Sequence, residues 1–146
     1  MNEVRSIVTA LAFSACAIGA ASADGSSIPF SGGGYVPDYI KIVDQYNASG
    51  EGFRIEGVCK SACTMFLGIR NACLERDAQL MFHAGHDIAE NRTGPDTRAT
   101  RLTLDRYSEQ LRKYLLENHY VDTEELHALT GAVLIDQFGY RQCGPK

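Results

Sequence analysis

The sequence predicts an α/β fold with a mostly parallel sheet, flanking helices and stabilising disulfides. Short β-type runs alternate with amphipathic helical segments between residues 28 and 69. This βαβα order favours parallel strands with helices packed against them. Four cysteines follow a leader-like N-terminus, which in a small exported domain indicates two disulfides. The length of 146 residues corresponds to a single domain.

The composition is that of an acidic but otherwise ordinary globular protein. Hydrophobic residues make up 45% of the chain and charged residues 22%, with a formal net charge of −4 at pH 7. The pI is near 5.5. Because binding to a phosphate backbone needs a basic surface, we predict no nucleic-acid partner. The sequence pattern indicates no cofactor, and we predict none.

The first 23 residues are typical of a secretory signal peptide. Arg5 provides a short basic region, residues 7–20 are apolar, and Ala21-Ser22-Ala23 fits a small-x-small cleavage site. We therefore expect residues 24–146 to form one exported domain, periplasmic or secreted. Two alternatives stay open: a lipoprotein signal cleaved before Cys16, and an uncleaved membrane anchor. Only these two would bring the protein to a membrane.

Four cysteines remain after cleavage, namely Cys59, Cys63, Cys73 and Cys143. The first two form a Cys-x3-Cys pair that could ligate a metal, but no His-x3-5-His partner follows at zinc spacing. We therefore predict two disulfides and no metal site. Each disulfide would contribute about 2–4 kcal/mol to stability. The sequence leaves all three possible pairings open.

The first half of the exported domain predicts the order strand, loop, helix, strand, turn, helix. Residues 28–30 are an apolar run that we assign to the end of a strand, and Gly32-Gly33-Gly34 follow as a loop. Apolar residues at helical spacing predict a helix over 36–47. Residues 53–58 alternate like a strand, and an apolar run that starts near Ser61 predicts a short helix.

The second half predicts one more strand and two more helices. Residues 80–82 form an apolar strand that runs into His83. After a turn at 94–96, one long helix is indicated by an apolar stripe made of Leu104, Tyr107, Leu111, Tyr114 and Leu115. A capping-box pattern that starts at Asp122 predicts another helix, which stops at Gly131.

Three features of this order converge on one edge of a parallel sheet. Ser61 lies at a strand-to-helix turn and His83 at the carboxyl end of a later strand, so both emerge at the same edge. The N–H groups at a helix N-terminus favour negative charge. The Ala62 N–H and those of Gly33 and Gly34 would then form an oxyanion hole. A hydroxyl, a base and backbone donors are what nucleophilic acyl transfer needs.

The same segments resemble the ClpP/crotonase superfamily, in particular small exported ClpP-like proteins. Ser31-Gly32-Gly33-Gly34-Tyr35-Val36 resembles the Ser-Pro-Gly-Gly-Ser-Val loop of ClpP, with an additional glycine in place of its proline. Gly57-Val58-Cys59-Lys60-Ser61-Ala62-Cys63 resembles the segment with its catalytic serine. Leu80-Met81-Phe82-His83 resembles the strand that ends in its catalytic histidine. Phe138-Gly139-Tyr140 is similar to the Tyr-Gly-Leu near the end of that core.

The resemblance extends over residues 28–140 and implies a compact ClpP/crotonase-like core with hydrolase or peptidase activity. Ser61 would be the nucleophile and His83 the general base. Either glycine of the pair Gly33-Gly34 would supply the oxyanion hole together with Ala62. The substrate would be a peptide or another acyl compound, and assembly into a homo-oligomer would fit the family.

Each candidate residue also has a purely structural interpretation. The family's acid has no unambiguous counterpart, which leaves Asp122, Asp136 or no acid at all. Ser61 would serve equally as a helix N-cap, His83 as a hydrogen-bonded residue at a strand end, and Asp122 as another N-cap. The corresponding second hypothesis is a non-catalytic, disulfide-stabilised binding or envelope protein with the same fold.

Overall fold

The computed structural model describes residues 25–145. The predicted signal peptide and the alternative cleavage before Cys16 lie outside the described residues. Within residues 25–145 the chain forms four α-helices, two 3₁₀ helices and eight short strands. In chain order these are β1 (Gly25–Ser26), a first 3₁₀ helix (Ile28–Phe30), α1 (Val36–Ser49), β2 (Phe53–Ile55), β3 (Val58–Lys60), a second 3₁₀ helix (Ser61–Gly68), β4 (Ala72–Leu74), β5 (Gln79–Phe82), β6 (His86–Asp87), β7 (Arg92–Thr93), α2 (Arg98–Leu104), α3 (Glu109–Glu117), β8 (His127–Thr130) and α4 (Gly131–Phe138).

The strands form three small sheets rather than one. β1, β2 and β4 pair in parallel in the order β1-β2-β4. β3 pairs in parallel with β5, and β5 pairs antiparallel with β8. β6 and β7 form a separate antiparallel hairpin. The α/β class is thus confirmed, whereas small sheets of both orientations replace the predicted mostly parallel sheet.

The strand predicted over 53–58 is in fact two strands in different sheets. Gly57 between them has a φ of +64°, which turns the chain out of extended geometry. β2 therefore stays in the first sheet, while β3 pairs with β5. This break brings the chain that leads into Ser61 next to the chain that leads into His83.

Residues 28–30 form a 3₁₀ helix and not the end of a strand, so this prediction is wrong. Pro29 lies in the first turn of this helix, and proline has no N–H to donate to a strand ladder. The glycine loop therefore follows a helical turn. It is tied to β3 by a hydrogen bond of 2.9 Å from Lys60 N to Ser31 O.

α1 confirms the helix predicted over 36–47 and extends it to Ser49. Pro37 occupies its first turn, where the missing N–H costs no hydrogen bond. Gly50 ends the helix in the left-handed conformation, with a φ of +74°. Local capping signals therefore define this helix at both ends, and it packs against the second 3₁₀ helix.

The long helix predicted after residue 96 is two shorter helices. Thr97 caps α2 by accepting a hydrogen bond from Thr100 N, and Ser108 caps α3 by accepting one from Leu111 N. Four residues of the predicted apolar stripe are still buried in the core, and the fifth, Tyr114, is partly buried against it. The polar residues at the break thus begin a new helix rather than continuing the old one.

Residues 127–130 form β8 rather than part of the helix predicted to start at Asp122, so that prediction is wrong. β8 covers the free edge of β5 and places Leu129 opposite Leu80. Gly131 begins α4 instead of ending a helix. Pairing with a strand distant in sequence has overridden the local helical pattern here.

Two disulfides pair Cys59 with Cys63 and Cys73 with Cys143. They confirm the predicted disulfide-stabilised domain and select one of the three pairings. The second bridge holds the C-terminal segment beside β4, where Leu74 O accepts a hydrogen bond of 3.1 Å from Cys143 N. The first bridge lies within the turn that bears Ser61.

Aromatic side chains form the centre of the core. The ring of Phe66, in the second 3₁₀ helix, has its centroid 5.3 Å from that of Phe30, 5.4 Å from that of Tyr39 and 4.6 Å from that of Phe53. These contacts join the glycine-loop region, α1 and β2 around one helix. None of the helices among residues 25–145 is long and apolar enough to cross a membrane.

Candidate active site

Ser61 lies at the junction of β3 and the second 3₁₀ helix. Its φ of +55° is positive, which costs a residue other than glycine about 1–3 kcal/mol. Such strain is concentrated at functional sites, and a strained strand-to-helix turn presents the nucleophilic serine of α/β-hydrolases. Lys60 before it is extended, with φ −103° and ψ 150°. The change of direction is therefore made at Ser61 itself.

The Ser61 hydroxyl does not cap the helix that it begins. Lys60 is the N-cap residue, and no side chain accepts a capping hydrogen bond there. Among residues 25–145, Ser61 enters side-chain hydrogen bonding only through its carbonyl oxygen, which accepts from Thr64 Oγ1. Ser61 therefore does not act as the helix N-cap, which is the structural role that its position in the sequence also allows.

His83 directly follows β5 and is half-buried. Its Nδ1 is buried and has no hydrogen-bond partner among the described residues. Burial lowers the pKa of His83 below its ordinary value of 6.5, and the Ala84 backbone and the Glu124 charge oppose this only in part. The imidazole is therefore neutral at pH 7, the state in which it can accept a proton.

Ser61 and His83 line one small cavity, which they share with side chains of α2. Its volume is about 20 Å³, room for about one water molecule. Within residues 25–145 the two side chains share this cavity without a hydrogen bond to each other. The structure thus places the predicted nucleophile and the predicted base on the lining of the same small cavity.

The glycine loop meets the Ser61 turn at Gly33. Gly33 has a φ of +73°, and a Cβ added to it would lie 2.7 Å from Lys60 O, 2.7 Å from Ser61 Cβ and 3.2 Å from Ala62 N. No side chain fits at such distances, so only glycine permits this approach. The predicted meeting of the loop with the helix N-terminus is therefore a direct backbone contact.

The N–H groups of the predicted oxyanion donors differ in whether they already donate a hydrogen bond within the protein. Gly33 N donates a 3.0 Å hydrogen bond to Phe30 O and so helps to shape the loop. Among residues 25–145, Gly34 N donates to no backbone or side-chain acceptor. Ala62 N lies in the first turn of the second 3₁₀ helix, where N–H groups have no acceptor within the helix. Gly34 and Ala62 are the donors that remain for a ligand.

The two acids considered for a triad are both engaged away from His83. Asp122 is exposed and lies 2.8 Å from His119 Nδ1. Asp136 accepts two hydrogen bonds from Arg76, of 2.9 and 2.7 Å, and this guanidinium lowers the pKa of Asp136. Asp122 also caps no helix, because the chain there leads into β8.

Glu124 is an acid near His83 that sequence reasoning missed. Its carboxylate makes no hydrogen bond to His83 among the described residues, and Oε1 lies 3.3 Å from His86 Nδ1. A 2.8 Å hydrogen bond from Ala84 N to Thr123 O brings the segment before β8 beside His83. The Glu124 carboxylate accepts a 2.8 Å hydrogen bond from Thr93 Oγ1, and its charge raises the pKa of His83 against the effect of burial. The sequence pattern places this residue at a helix start, and only the pairing of β8 with β5 reveals its position.

The Cys59–Cys63 disulfide encloses Ser61. Both cysteines are fully buried, and the bridge joins residues four positions apart. All four cysteines of residues 25–145 are disulfide-bonded, so none of them is a free thiolate. Within the described part of the chain, no group of three or more His, Cys, Asp or Glu side chains is arranged to hold a metal ion.

Comparisons of the chain with known proteins add no identity to this geometry. Family models, curated proteins and solved structures all give no match. The interpretation of the site therefore depends on the conformation of Ser61, the state of His83 and the contact made by Gly33.

Proposed function

We propose that this protein is a serine hydrolase of the ClpP/crotonase-like type, which cleaves a peptide or another acyl bond. The observation that carries the proposal is Ser61, a strained serine that caps no helix and shares a cavity with a neutral histidine. The parallel pairing of β3 with β5 supports the fold-level part, since it brings Ser61 and His83 to the same sheet edge.

The chemistry follows from the positions of these groups. Ser61 Oγ would attack the carbonyl carbon of the substrate while His83 accepts the hydroxyl proton. The oxyanion formed would accept hydrogen bonds from the N–H groups of Gly34 and Ala62. Cleavage of the scissile bond would release the leaving group with the proton from His83 and leave an ester on Ser61. Water, deprotonated by His83, would hydrolyse this ester and restore the serine.

The acid in this proposal acts at a distance. Glu124 has its carboxylate held by Thr93, and its negative charge favours the imidazolium that forms at His83 during attack. An acid that does not hydrogen-bond to the histidine orients it less firmly than the aspartate of a Ser-His-Asp triad. We therefore expect slow turnover compared with enzymes that have a complete triad.

The substrate would approach from the surface beside the glycine loop. The cavity of about 20 Å³ is too small for a peptide or an acyl chain. Ile28 and Tyr35 flank the loop, and these residues are 57% and 64% exposed. Exposed apolar side chains at this position would contact an apolar group on the acyl side of the substrate.

We place this reaction outside the cytoplasm, in the periplasm or in the secreted fraction. The two disulfides support this location, because such bonds persist in oxidising compartments. The leader-like composition of residues 1–23 supports it from the sequence side.

Active-site labelling with a fluorophosphonate probe tests the proposal. We expect the disulfide-intact protein to be labelled on Ser61, as located by peptide mass mapping, and Ser61→Ala to abolish the label. Ser49→Ala, at the exposed end of α1, is the matched serine control and should label like wild type. His83→Gln should slow labelling by about 10²–10⁴-fold, because the general base is lost. Absence of label on the wild-type protein would refute the proposal.

One observation favours a second candidate, a non-catalytic binding or envelope protein with the same fold. Ser61 and His83 share their cavity without a mutual hydrogen bond, and His83 Nδ1 lacks an acceptor or donor among residues 25–145. In this case the wild-type protein would resist the probe even at long incubation, just as Ser61→Ala would. The same labelling experiment thus separates the two candidates.

A further inference from the structure

Two buried hydroxyl groups form a chain that ends on the Ser61 carbonyl. Thr64 Oγ1 donates a 2.6 Å hydrogen bond to Ser61 O, and the Tyr107 hydroxyl lies 2.5 Å from Thr64 Oγ1. Thr64 is 1% and Tyr107 9% exposed. A threonine hydroxyl has one hydrogen, which Thr64 gives to Ser61, so the Tyr107 hydroxyl must be the donor to Thr64.

This chain acts on the peptide unit that contains the Ala62 N–H. The Ser61 carbonyl and the Ala62 N–H belong to one planar trans peptide, so they point in opposite directions and turn together. Ser61 is the first residue of the second 3₁₀ helix, so its carbonyl also faces the backbone N–H of Thr64 in the i→i+3 pattern of that helix. The Thr64 hydroxyl adds a second donor to this carbonyl and so helps to hold the direction of the Ala62 N–H.

We propose that Thr64 and Tyr107 are positioning residues for the oxyanion hole, which orient and polarise the Ala62 N–H through the Ser61 carbonyl. The inference rests on the proposed hydrolase function and adds two residues to its site. Hydrogen bonds in a chain polarise one another, by about 10–30% per bond. A carbonyl that accepts from Thr64 therefore leaves its peptide N–H a stronger donor to an oxyanion.

The surroundings of Tyr107 keep this chain in one state. Tyr107 and Thr64 both line the cavity that holds Ser61 and His83. Burial raises the pKa of Tyr107 far above its ordinary value of 10.0. The phenol therefore keeps its proton throughout the physiological range and remains a donor. The apolar stripe of the sequence indicates only a packing role for this tyrosine.

Four variants separate positioning from packing. Tyr107→Phe removes one hydroxyl and keeps the ring, and Thr64→Val removes the other with nearly the same shape. Thr64→Ser keeps the hydroxyl and is the conservative rescue. Tyr140→Phe is the matched tyrosine control, because the Tyr140 hydroxyl pairs with Ser108 instead of with Thr64.

The first measurement is the rate of fluorophosphonate labelling, resolved into the affinity for the probe and the maximal rate of inactivation. Polarisation by about 10–30% accounts for the same fraction of the free energy that one oxyanion donor contributes to the barrier. Tyr107→Phe should therefore lower the maximal rate about two- to eightfold. Thr64→Val should lower it by at least as much, while Thr64→Ser and Tyr140→Phe stay at the wild-type rate. Probe affinity should stay unchanged in all four. Equal maximal rates in wild type, Tyr107→Phe and Thr64→Val would overturn the inference.

The second measurement does not depend on activity. In NMR spectra of isotope-labelled protein, Tyr107→Phe and Thr64→Val should both shift the Ser61 carbonyl ¹³C and the Ala62 amide ¹H upfield, and Tyr140→Phe should shift neither. If the probe does not label the wild-type protein, only the hydrolase proposal is refuted. The chemical shifts then show whether the hydrogen-bond chain from Tyr107 to Ser61 exists. Unchanged chemical shifts of Ser61 and Ala62 in Thr64→Val would overturn the inference whatever the probe labelling shows.

Discussion

Replacing Gly33 with alanine tests how closely the glycine loop approaches Ser61. A Cβ on Gly33 would lie 2.7 Å from both Lys60 O and Ser61 Cβ, closer than non-bonded atoms allow. Gly33 also has a φ of +73°. Gly50 has nearly the same backbone, with a φ of +74°, but nothing lies within 4 Å of its added Cβ. Gly50→Ala is therefore a matched control for the backbone effect alone.

The expected magnitudes follow from these two contributions. Alanine in the left-handed region costs about 1–2 kcal/mol. The lower conformational entropy of the unfolded alanine variant offsets about 0.4–1 kcal/mol of this cost. Gly50→Ala should therefore lower the free energy of unfolding by about 1 kcal/mol. Gly33→Ala adds the displacement of packed backbone, about 1–3 kcal/mol by analogy with overpacked cores. The loss for Gly33→Ala should thus be about 2–4 kcal/mol.

Urea unfolding with the disulfides intact, followed by far-ultraviolet circular dichroism, measures both losses. With slopes of about 1–3 kcal/mol per molar urea, the two midpoints should differ by roughly 0.3–3 M. Gly33→Ala should also slow fluorophosphonate labelling of Ser61, since the added methyl displaces the turn, whereas Gly50→Ala should leave labelling unchanged. Equal midpoints for the two variants would refute the close approach on which the proposed oxyanion hole depends.

Two further predictions concern the disulfides and the histidine. Removing the Cys73–Cys143 bridge, which spans 70 positions, should cost about 4 kcal/mol of unfolding free energy. Removing the Cys59–Cys63 bridge, which spans four positions, should cost about 2 kcal/mol. Urea midpoints of the paired Cys→Ala variants check this order, and equal losses would contradict it. Burial lowers the pKa of His83, so the unfolded chain takes up its proton first as the pH falls. Below pH 6.5 wild type should therefore lose stability relative to His83→Gln, and parallel stability–pH curves would contradict the burial effect.

The elements that the sequence predicts correctly have their signals within a few residues of one another. α1 has Pro37 in its first turn and Gly50 at its end, and both act on the backbone directly. The strand that leads into His83 is a short apolar run followed by polar residues. The disulfides could be predicted as a class from the number of cysteines, but their pairing depends on where β4 meets the C-terminal segment.

The elements that the sequence predicts wrongly depend on partners distant along the chain. Residues 127–130 have a helical pattern, yet they complete the sheet beside β5, and no local signal competes with that pairing. The position of Glu124 follows from the same pairing, since the segment before β8 lies against the residues after β5. Local sequence signals therefore predict the positions of Ser61 and the glycine loop, whereas the position of the acid depends on tertiary contacts.

The conformation of Ser61 links the local half of the site to its chemistry. Its positive φ costs about 1–3 kcal/mol, and helix initiation does not require it, because Lys60 already serves as an extended N-cap. Three contacts offset that cost: the buried Cys59–Cys63 bridge around the turn, the backbone of Gly33 against it, and the hydrogen bond from Thr64 to its carbonyl. Glycine would allow the same change of direction without strain, as it does at Gly57, and the other non-glycine residues with a positive φ within residues 25–145 are Asn91 and His119. The strained position carries a hydroxyl instead, and this argues for a chemical role of Ser61.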